Sequence, residues 1–129
     1  MNAIHRIMTN ICSDQLAETR DFYTVLFDFG VDYDSDWFVH LISKDKQFEL
    51  GVMKRDHELV PDGFQQNPQG FYITFVVSSA DTVYEQAKAH GFEILEEPTD
   101  TFYGQRRVLL KDPNGALVDV SSPIPGFGG

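Results

Sequence analysis

The alternation of apolar and polar positions in this chain is written out twice. From Ile4 to Cys12 apolar residues dominate a short run, the polar pair Ser13-Asp14 follows, and Leu16, Tyr23, Leu26 and Phe27 then recur at helical spacing. The pattern predicts a strand over residues 4–12 and a helix over 15–27, with Ser13 and Asp14 offering its cap and Gly30 ending the turn beyond. On that strand Ile7, Thr9 and Ile11 share one face, and Met8, Asn10 and Cys12 the other. Residues 31–33, 37–43 and 47–53, divided by Asp34-Ser35-Asp36 and Lys44-Asp45-Lys46, read as a meander of strands. In the last of these Phe48, Leu50 and Val52 lie on one side, while Glu49, Gly51 and Met53 lie on the side away from the helix.

The second copy starts about 65 residues later, at Phe71 to Val77, an offset of half the chain that points to a duplicated module. Tyr72, Thr74 and Val76 share one face of this strand. Ser78-Ser79 cap a helix that turns Val83, Tyr84 and Ala87 inward, and Lys88, His90 and Gly91 stop it. Strands are expected at 92–96, 106–110 and 116–121, the last two joined by Asp112-Pro113-Asn114-Gly115, a strong hairpin signal. The fold class is therefore α+β, two tandem βαβββ modules at about 4–53 and 70–121 within a single domain of 129 residues. Residues 54–69, with Pro61-Asp62-Gly63 and Asn67-Pro68, join the modules and exceed the usual connection, so they are expected to help cover a site. The tail, 122–129, cannot form a helix and is expected to trail over the surface or a partner subunit.

Composition narrows the function. Eleven Phe, five Tyr and 42% apolar residues supply a real core, which argues against disorder. Twenty acidic against ten basic side chains leave a formal charge of −10, which repels phosphate backbones and anionic lipid. Nucleic acid and membrane are excluded as partners on that ground, whereas cations are drawn in. The single cysteine, Cys12, rules out an intrachain disulfide and a cysteine-based zinc site. No apolar run approaches the ~18 residues needed to span a bilayer and the start lacks a signal peptide's apolar core, so a cytoplasmic protein is expected. Phosphate-binding glycine loops, Gly-x-Ser-x-Gly elbows and His-Glu-x-x-His helices are all missing.

The two βαβββ units, with Asp21-Phe22-Tyr23, Phe48-Glu49-Leu50 and the run Lys111-Asp112-Pro113-Asn114-Gly115-Ala116-Leu117-Val118-Asp119, resemble the vicinal oxygen chelate superfamily. Glyoxalase I, fosfomycin-resistance enzymes, extradiol dioxygenases and bleomycin-resistance proteins belong to it. The resemblance covers Ile7 to Val120. It implies a curved, mostly antiparallel sheet with a cleft and outer helices, and a homodimer. It also implies that a divalent metal, where one is held, is bound from the first, fourth, fifth and eighth strands, positions that fall here on Ile7, Glu49, Tyr72 and Asp119. Only Glu49 is of the usual residue type. Ile7 has no lone pair, Tyr72 offers a phenol, and two carboxylates alone hold a transition metal loosely beside a mixed imidazole–carboxylate set. No cofactor is therefore expected; the alternative is a divalent metal held by Glu49, Asp119 and His5, which lies two residues before Ile7 on the same face.

The ligand-binding set that this reading nominates is Glu49, Tyr72, Asp119, Ile7, Trp37, Tyr103 and Arg106, with no catalytic residue assigned. Two carboxylates among apolar neighbours receive a cationic group or a metal, pair with Arg106 or Arg107, or simply face solvent. The aromatic side chains, Phe38 and Phe102 included, offer flat contact area. His40, between Phe38 and Ile42, reads as a satisfied structural histidine, and His57 and His90 as exposed residues without a role. The leading reading is a glyoxalase/bleomycin-resistance-like protein that binds a small, cationic aromatic molecule. Val60-Pro61-Asp62 and Tyr103-Gly104-Gln105-Arg106 resemble the bleomycin-resistance branch. A metal-dependent lyase, isomerase or transferase of the glyoxalase/fosfomycin-resistance type is the alternative, and an interaction domain the third.

Overall fold

Ser13 closes the first strand, β1 (Thr9–Ser13), and its hydroxyl turns back to accept a hydrogen bond from the Gln15 backbone N–H at 2.8 Å. That bond turns the chain into the helix α1 (Leu16–Leu26), which starts without a side-chain cap on its own N-cap residue, Gln15. The computed structural model describes residues 1–126; Phe127, Gly128 and Gly129, the end of the predicted surface tail, lie outside the described residues. Two compact units divide the chain at Met1–Pro68 and Gln69–Gly129.

In the first unit β2 (Phe29–Asp34), β3 (Phe38–Ser43) and β4 (Glu49–Lys54) follow α1, and the sheet order is β1-β4-β3-β2. The β1 and β4 strands run parallel, as a helical crossover requires, and the remaining pairs are antiparallel. Alternation sends Ile11, Val39, Leu41, Leu50 and Val52 to the face that meets Phe22, Tyr23 and Leu26 of α1, all nearly or fully buried. Each such side chain contributes roughly 1.5–3 kcal/mol on leaving water. Ser13 and Thr19 sit in the same layer with their hydroxyls 3.2 Å apart, and Thr19 also donates to the Gln15 carbonyl at 2.7 Å.

The second unit repeats the plan with β5 (Ile73–Val76), α2 (Ala80–Ala89), β6 (Glu93–Asp100), β7 (Gln105–Lys111) and β8 (Leu117–Pro123), in the order β5-β8-β7-β6. Here β5 and β8 are the parallel pair. Ala80, Val83 and Ala87 of α2 cover Val108, Leu110, Val118 and Val120. Ser79 caps α2 by accepting from the Thr82 N–H at 3.2 Å, and the Ser122 hydroxyl accepts from the Ala80 N–H at 3.0 Å.

Several elements differ from the pattern reading. The first strand begins at Thr9 rather than Ile4, because β4 begins at Glu49 and the pairing Thr9 with Leu50 leaves earlier residues no strand to bond. Gly30 does not end a turn but lies inside β2, opposite Ile42. Tyr84 is only half-buried; its hydroxyl reaches Glu97 at 3.4 Å and Lys88 sits over its ring. The Asp112–Gly115 hairpin is a longer turn than the two-residue form: Asp112 Oδ1 accepts from the Asn114 and Ala116 N–H groups and only Gly115 takes a positive φ, 82°. Residues 54–68 belong to the first unit, burying Val60 and tying Gln65 Nε2 to the Val60 carbonyl at 2.9 Å. Among the described residues no helix is long and apolar enough to cross a membrane.

Candidate functional site

Cross-strand partners share a face, so the side of the first sheet turned away from α1 carries Asn10 and Cys12 from β1, Phe38, His40 and Ile42 from β3, and Glu49, Gly51 and Met53 from β4. Glu49, the first residue of β4, has only 7% of its side chain exposed. His40 Nε2 meets Glu49 Oε1 at 2.8 Å, and His40 Nδ1 meets Asp32 Oδ2 at 2.9 Å. Asp32 is the extra residue of a β-bulge, where the register of β2 skips between Val31 and Tyr33, and the bulge delivers its carboxylate to the ring. Two acidic side chains thus face the two ring nitrogens of His40.

Arg6, from the segment before β1, completes the cluster. Its Nε donates to Glu49 Oε2 at 2.9 Å and its Nη2 to Glu49 Oε1, a two-pronged guanidinium–carboxylate pair. The Arg6 hydrogen bond holds the Glu49 carboxyl down to about 2, against the opposing effect of burial and with help from His40. Glu49 in turn raises the Arg6 guanidinium above its ordinary value.

Aromatic rings border the cluster. Phe38 lies parallel to His40 at 6.5 Å, with Trp37 at 5.6 Å and Tyr33 at 6.4 Å from Phe38. Gly51 makes this packing possible: a Cβ there would stand 2.2 Å from Asn10 Oδ1 and 2.8 Å from Phe38 Cε1. A cavity of about 250 Å³ also lies in this unit, lined by Ser13, Asp14, Asp36, Lys54 and Arg55 among others, but its Asp14–Arg55 pair at 2.9 Å already cancels charge.

The corresponding face of the second sheet holds Asp119, 8% exposed, whose oxygens accept from Thr74 Oγ1 at 2.8 Å and Ser121 Oγ at 3.1 Å. Arg107, on the same face, sends Nη2 to Glu96 at 3.0 and 3.2 Å, while its Nε is buried with no partner among the described residues. Arg106 points the other way, into Asp100 at 2.7 Å and Asp81 at 3.1 Å.

The family model described as Glyoxalase/Bleomycin resistance protein/Dioxygenase superfamily matches residues 3–120, almost the whole chain. The chain belongs to that superfamily. Among solved structures, a glyoxalase/bleomycin resistance protein/dioxygenase family enzyme from Burkholderia phytofirmans PsJN is similar with a TM-score of 0.77 and 21% identity, over 91% of this chain and 97% of that one. Lactoylglutathione lyase from Agrobacterium tumefaciens is similar at 0.69 and 17%, over 93% and 95%. Both likenesses concern the fold. The curated protein named "Putative glyoxylase CFP32", from Mycobacterium tuberculosis and Mycobacterium bovis, is 34% identical over 58 residues, 45% of this chain. The matched stretch spans only 22% of that relative's length.

Within this superfamily member the nominated residues fall into distinct settings. Glu49 and Asp119 each stand on the open face of their own sheet. Neither depends on Arg106 or Arg107 for hydrogen bonding: Arg6 and His40 bond to Glu49, and Thr74 and Ser121 to Asp119. Ile7 is 77% exposed ahead of β1, and His5 is exposed beside it. Tyr72, 56% exposed, stands just before β5, and Tyr103 packs edge-on against Phe102 at 5.3 Å. Trp37 is half-buried and stacks on His57 at 4.6 Å, which gives His57 a packing role that the sequence reading denied it. His40, expected as a satisfied structural histidine, is bonded at both nitrogens, and its partners place it within the Glu49 cluster. Arg6 and Asp32 were not anticipated. The shared parity of His40 and Glu49 on adjacent strands was readable, but nothing in the spacing announces the bulge at Asp32 or the reach of Arg6.

The superfamily's divalent metal does not fit these residues. Position 7 carries no donor and position 72 only an exposed phenol, which leaves two carboxylates and no imidazole at the four positions. Among the described residues no three His, Cys, Asp or Glu side chains form a group able to hold an ion.

Proposed function

We propose that this protein binds a small, cationic aromatic molecule on the open face of the first sheet, with Glu49 as the anionic anchor. The observation that carries the reading is the state of Glu49: an almost fully enclosed carboxylate, held ionised, with its oxygens directed at a guanidinium and an imidazole. An enclosed carboxylate needs compensation from its neighbours, and the compensation that Glu49 draws is cationic, which supports a face that receives cations. Phe38 and Tyr33, further along the same face past His40, and Trp37 next to Phe38 offer ring faces to the apolar part of such a ligand. The formal charge of −10 draws a cation towards the protein. This reading places the chain in character near the superfamily's bleomycin-resistance members. A metal-dependent lyase or transferase is disfavoured by donor chemistry at positions 7, 49 and 119, not by anything else.

Isothermal titration of the full chain with ethidium, berberine and benzamidine tests it. The expected result is binding near micromolar by at least one of them, weakening as salt rises from about 50 to 300 mM. In Glu49→Gln that affinity drops about tenfold or more. Absence of heat with all three, or equal affinity in Glu49→Gln, overturns the proposal.

A further inference from the structure

We infer that Arg6 is a built-in occupant of the Glu49 subsite, standing where the amidinium or guanidinium group of a ligand would bind. The inference rests on the reading of Glu49 as a cation anchor and names the chemistry that the anchor selects.

Three observations support it. The first is an asymmetry between the partners. Glu49 opens β4, is 7% exposed and is fixed by His40, whereas Arg6 precedes β1, lies in no strand and leaves 67% of its side chain in solvent. The carboxylate belongs to the folded sheet; the guanidinium arrives from outside it. The second is the shape of the pair: Nε and Nη2 of one planar cation meet the two oxygens of one carboxylate. An amidinium or guanidinium reproduces that pair of donors, while a primary ammonium offers no planar fork. The third is charge balance. Departure of Arg6 without a replacement leaves an enclosed carboxylate with less compensation, so exchange for another cation is favoured over opening alone. Once released, the Arg6 side chain is exposed to solvent and costs little to hydrate.

An internal competitor lowers the apparent affinity of any ligand by the fraction of time it holds the site. Titration calorimetry of benzamidine and benzylamine into wild type, Arg6→Ala and Glu49→Gln reads that competition directly. Benzamidine is expected to bind Arg6→Ala about three- to tenfold more tightly than wild type, consistent with the modest strength of a partly exposed ion pair. Benzylamine is expected to bind more weakly than benzamidine in both, and Glu49→Gln to bind neither well. A measurement without substitution accompanies it: in ¹⁵N-labelled wild type the Arg6 Nε–H resonance shifts towards the solvent-exchanging position as benzamidine is added. Equal benzamidine affinity in wild type and Arg6→Ala, with an unmoved Arg6 resonance, overturns the occupant role while leaving Glu49 as an anchor. Binding of ethidium or berberine that needs Glu49, with no benzamidine binding to any variant, overturns the amidinium subsite alone. No heat from any cation in wild type or Arg6→Ala overturns the parent reading as well.

Discussion

Gly51 is the position at which the packing of the candidate face can be tested most sharply. A methyl group added there stands 2.2 Å from Asn10 Oδ1 and 2.8 Å from Phe38 Cε1, with Phe38 Cζ at 3.1 Å. Asn10 is exposed and its amide can swing away cheaply, but Phe38 is an aromatic ring packed against Trp37, Tyr33 and His40. Moving it costs about 1–3 kcal/mol, the usual range for overpacking. Against this, alanine in a strand loses less chain entropy than glycine, worth about 0.4–1 kcal/mol where the backbone is compatible. The net expectation for Gly51→Ala is a loss of roughly 0.5–2 kcal/mol.

Gly30 supplies the control. It also lies in a strand of the first sheet, but the nearest atom to its added Cβ is the Ile42 carbonyl oxygen at 3.9 Å, an ordinary contact. Gly30→Ala therefore gains the entropy without the clash and is expected to be neutral or more stable by about 0.4–1 kcal/mol. Trp37 is the single tryptophan and adjoins Phe38, so urea unfolding followed by its fluorescence reports on this unit. With a slope of about 1–3 kcal/mol per molar urea, the two midpoints should differ by roughly 0.5–2 M. Gly51→Ala as stable as Gly30→Ala would refute the claim that the glycine exists to let Phe38 and Asn10 close over β4.

Three further outcomes are expected. Because Glu49 titrates near 2 when folded, below its ordinary value, its stabilising effect is full above about pH 4.5 and fades as pH falls towards about 2. Midpoints measured from pH 6 to 2.5 should fall less steeply in Glu49→Gln, while Asp45 and Asp100, also held low by their hydrogen bonds to Ser43 and Arg106, keep part of the slope; an unchanged slope refutes the pairing. Ser79→Ala removes the cap of α2 and should cost about 1 kcal/mol in urea unfolding followed by circular dichroism, with Ser79→Asp restoring most of it. Asp112→Ala strips the acceptor from the Asn114 and Ala116 N–H groups inside a buried turn and should cost about 1–3 kcal/mol, whereas Asp112→Asn should cost less.

Side-chain parity was the most legible feature of this chain. Alternation alone put Glu49 opposite the helix-packed face, because Leu50 and Val52 on one side of it demand burial. The same logic failed at the start of the chain. Ile4 and Ile7 continue the apolar pattern, but a strand also needs backbone partners, and β4 offers none before Glu49. What the spacing cannot show is an interruption of spacing: the bulge that aims Asp32 at His40 leaves no mark in a two-residue period. Arg6 was invisible for a related reason. A long flexible side chain from an unpaired segment follows no periodicity, and its choice of Glu49, 43 residues away, is decided by charge in three dimensions.

The repeat makes one comparison informative. In both units the strand that runs parallel to the first carries an enclosed carboxylate on its open face, Glu49 on β4 and Asp119 on β8. The partners differ in kind. Glu49 is bonded by a cation and an imidazole, whereas among the described residues Asp119 accepts from the hydroxyls of Thr74 and Ser121. Hydroxyls satisfy lone pairs without supplying charge, and Arg107, on the same face, commits its Nη2 to Glu96. Duplication thus preserved the position of an acid and changed what answers it. A carboxylate held by neutral donors is fixed in place and cannot exchange its partner for a ligand cation without losing those bonds; one held by a side chain from outside the sheet can. That difference is why the first unit, rather than the second, is the place to look for cation binding.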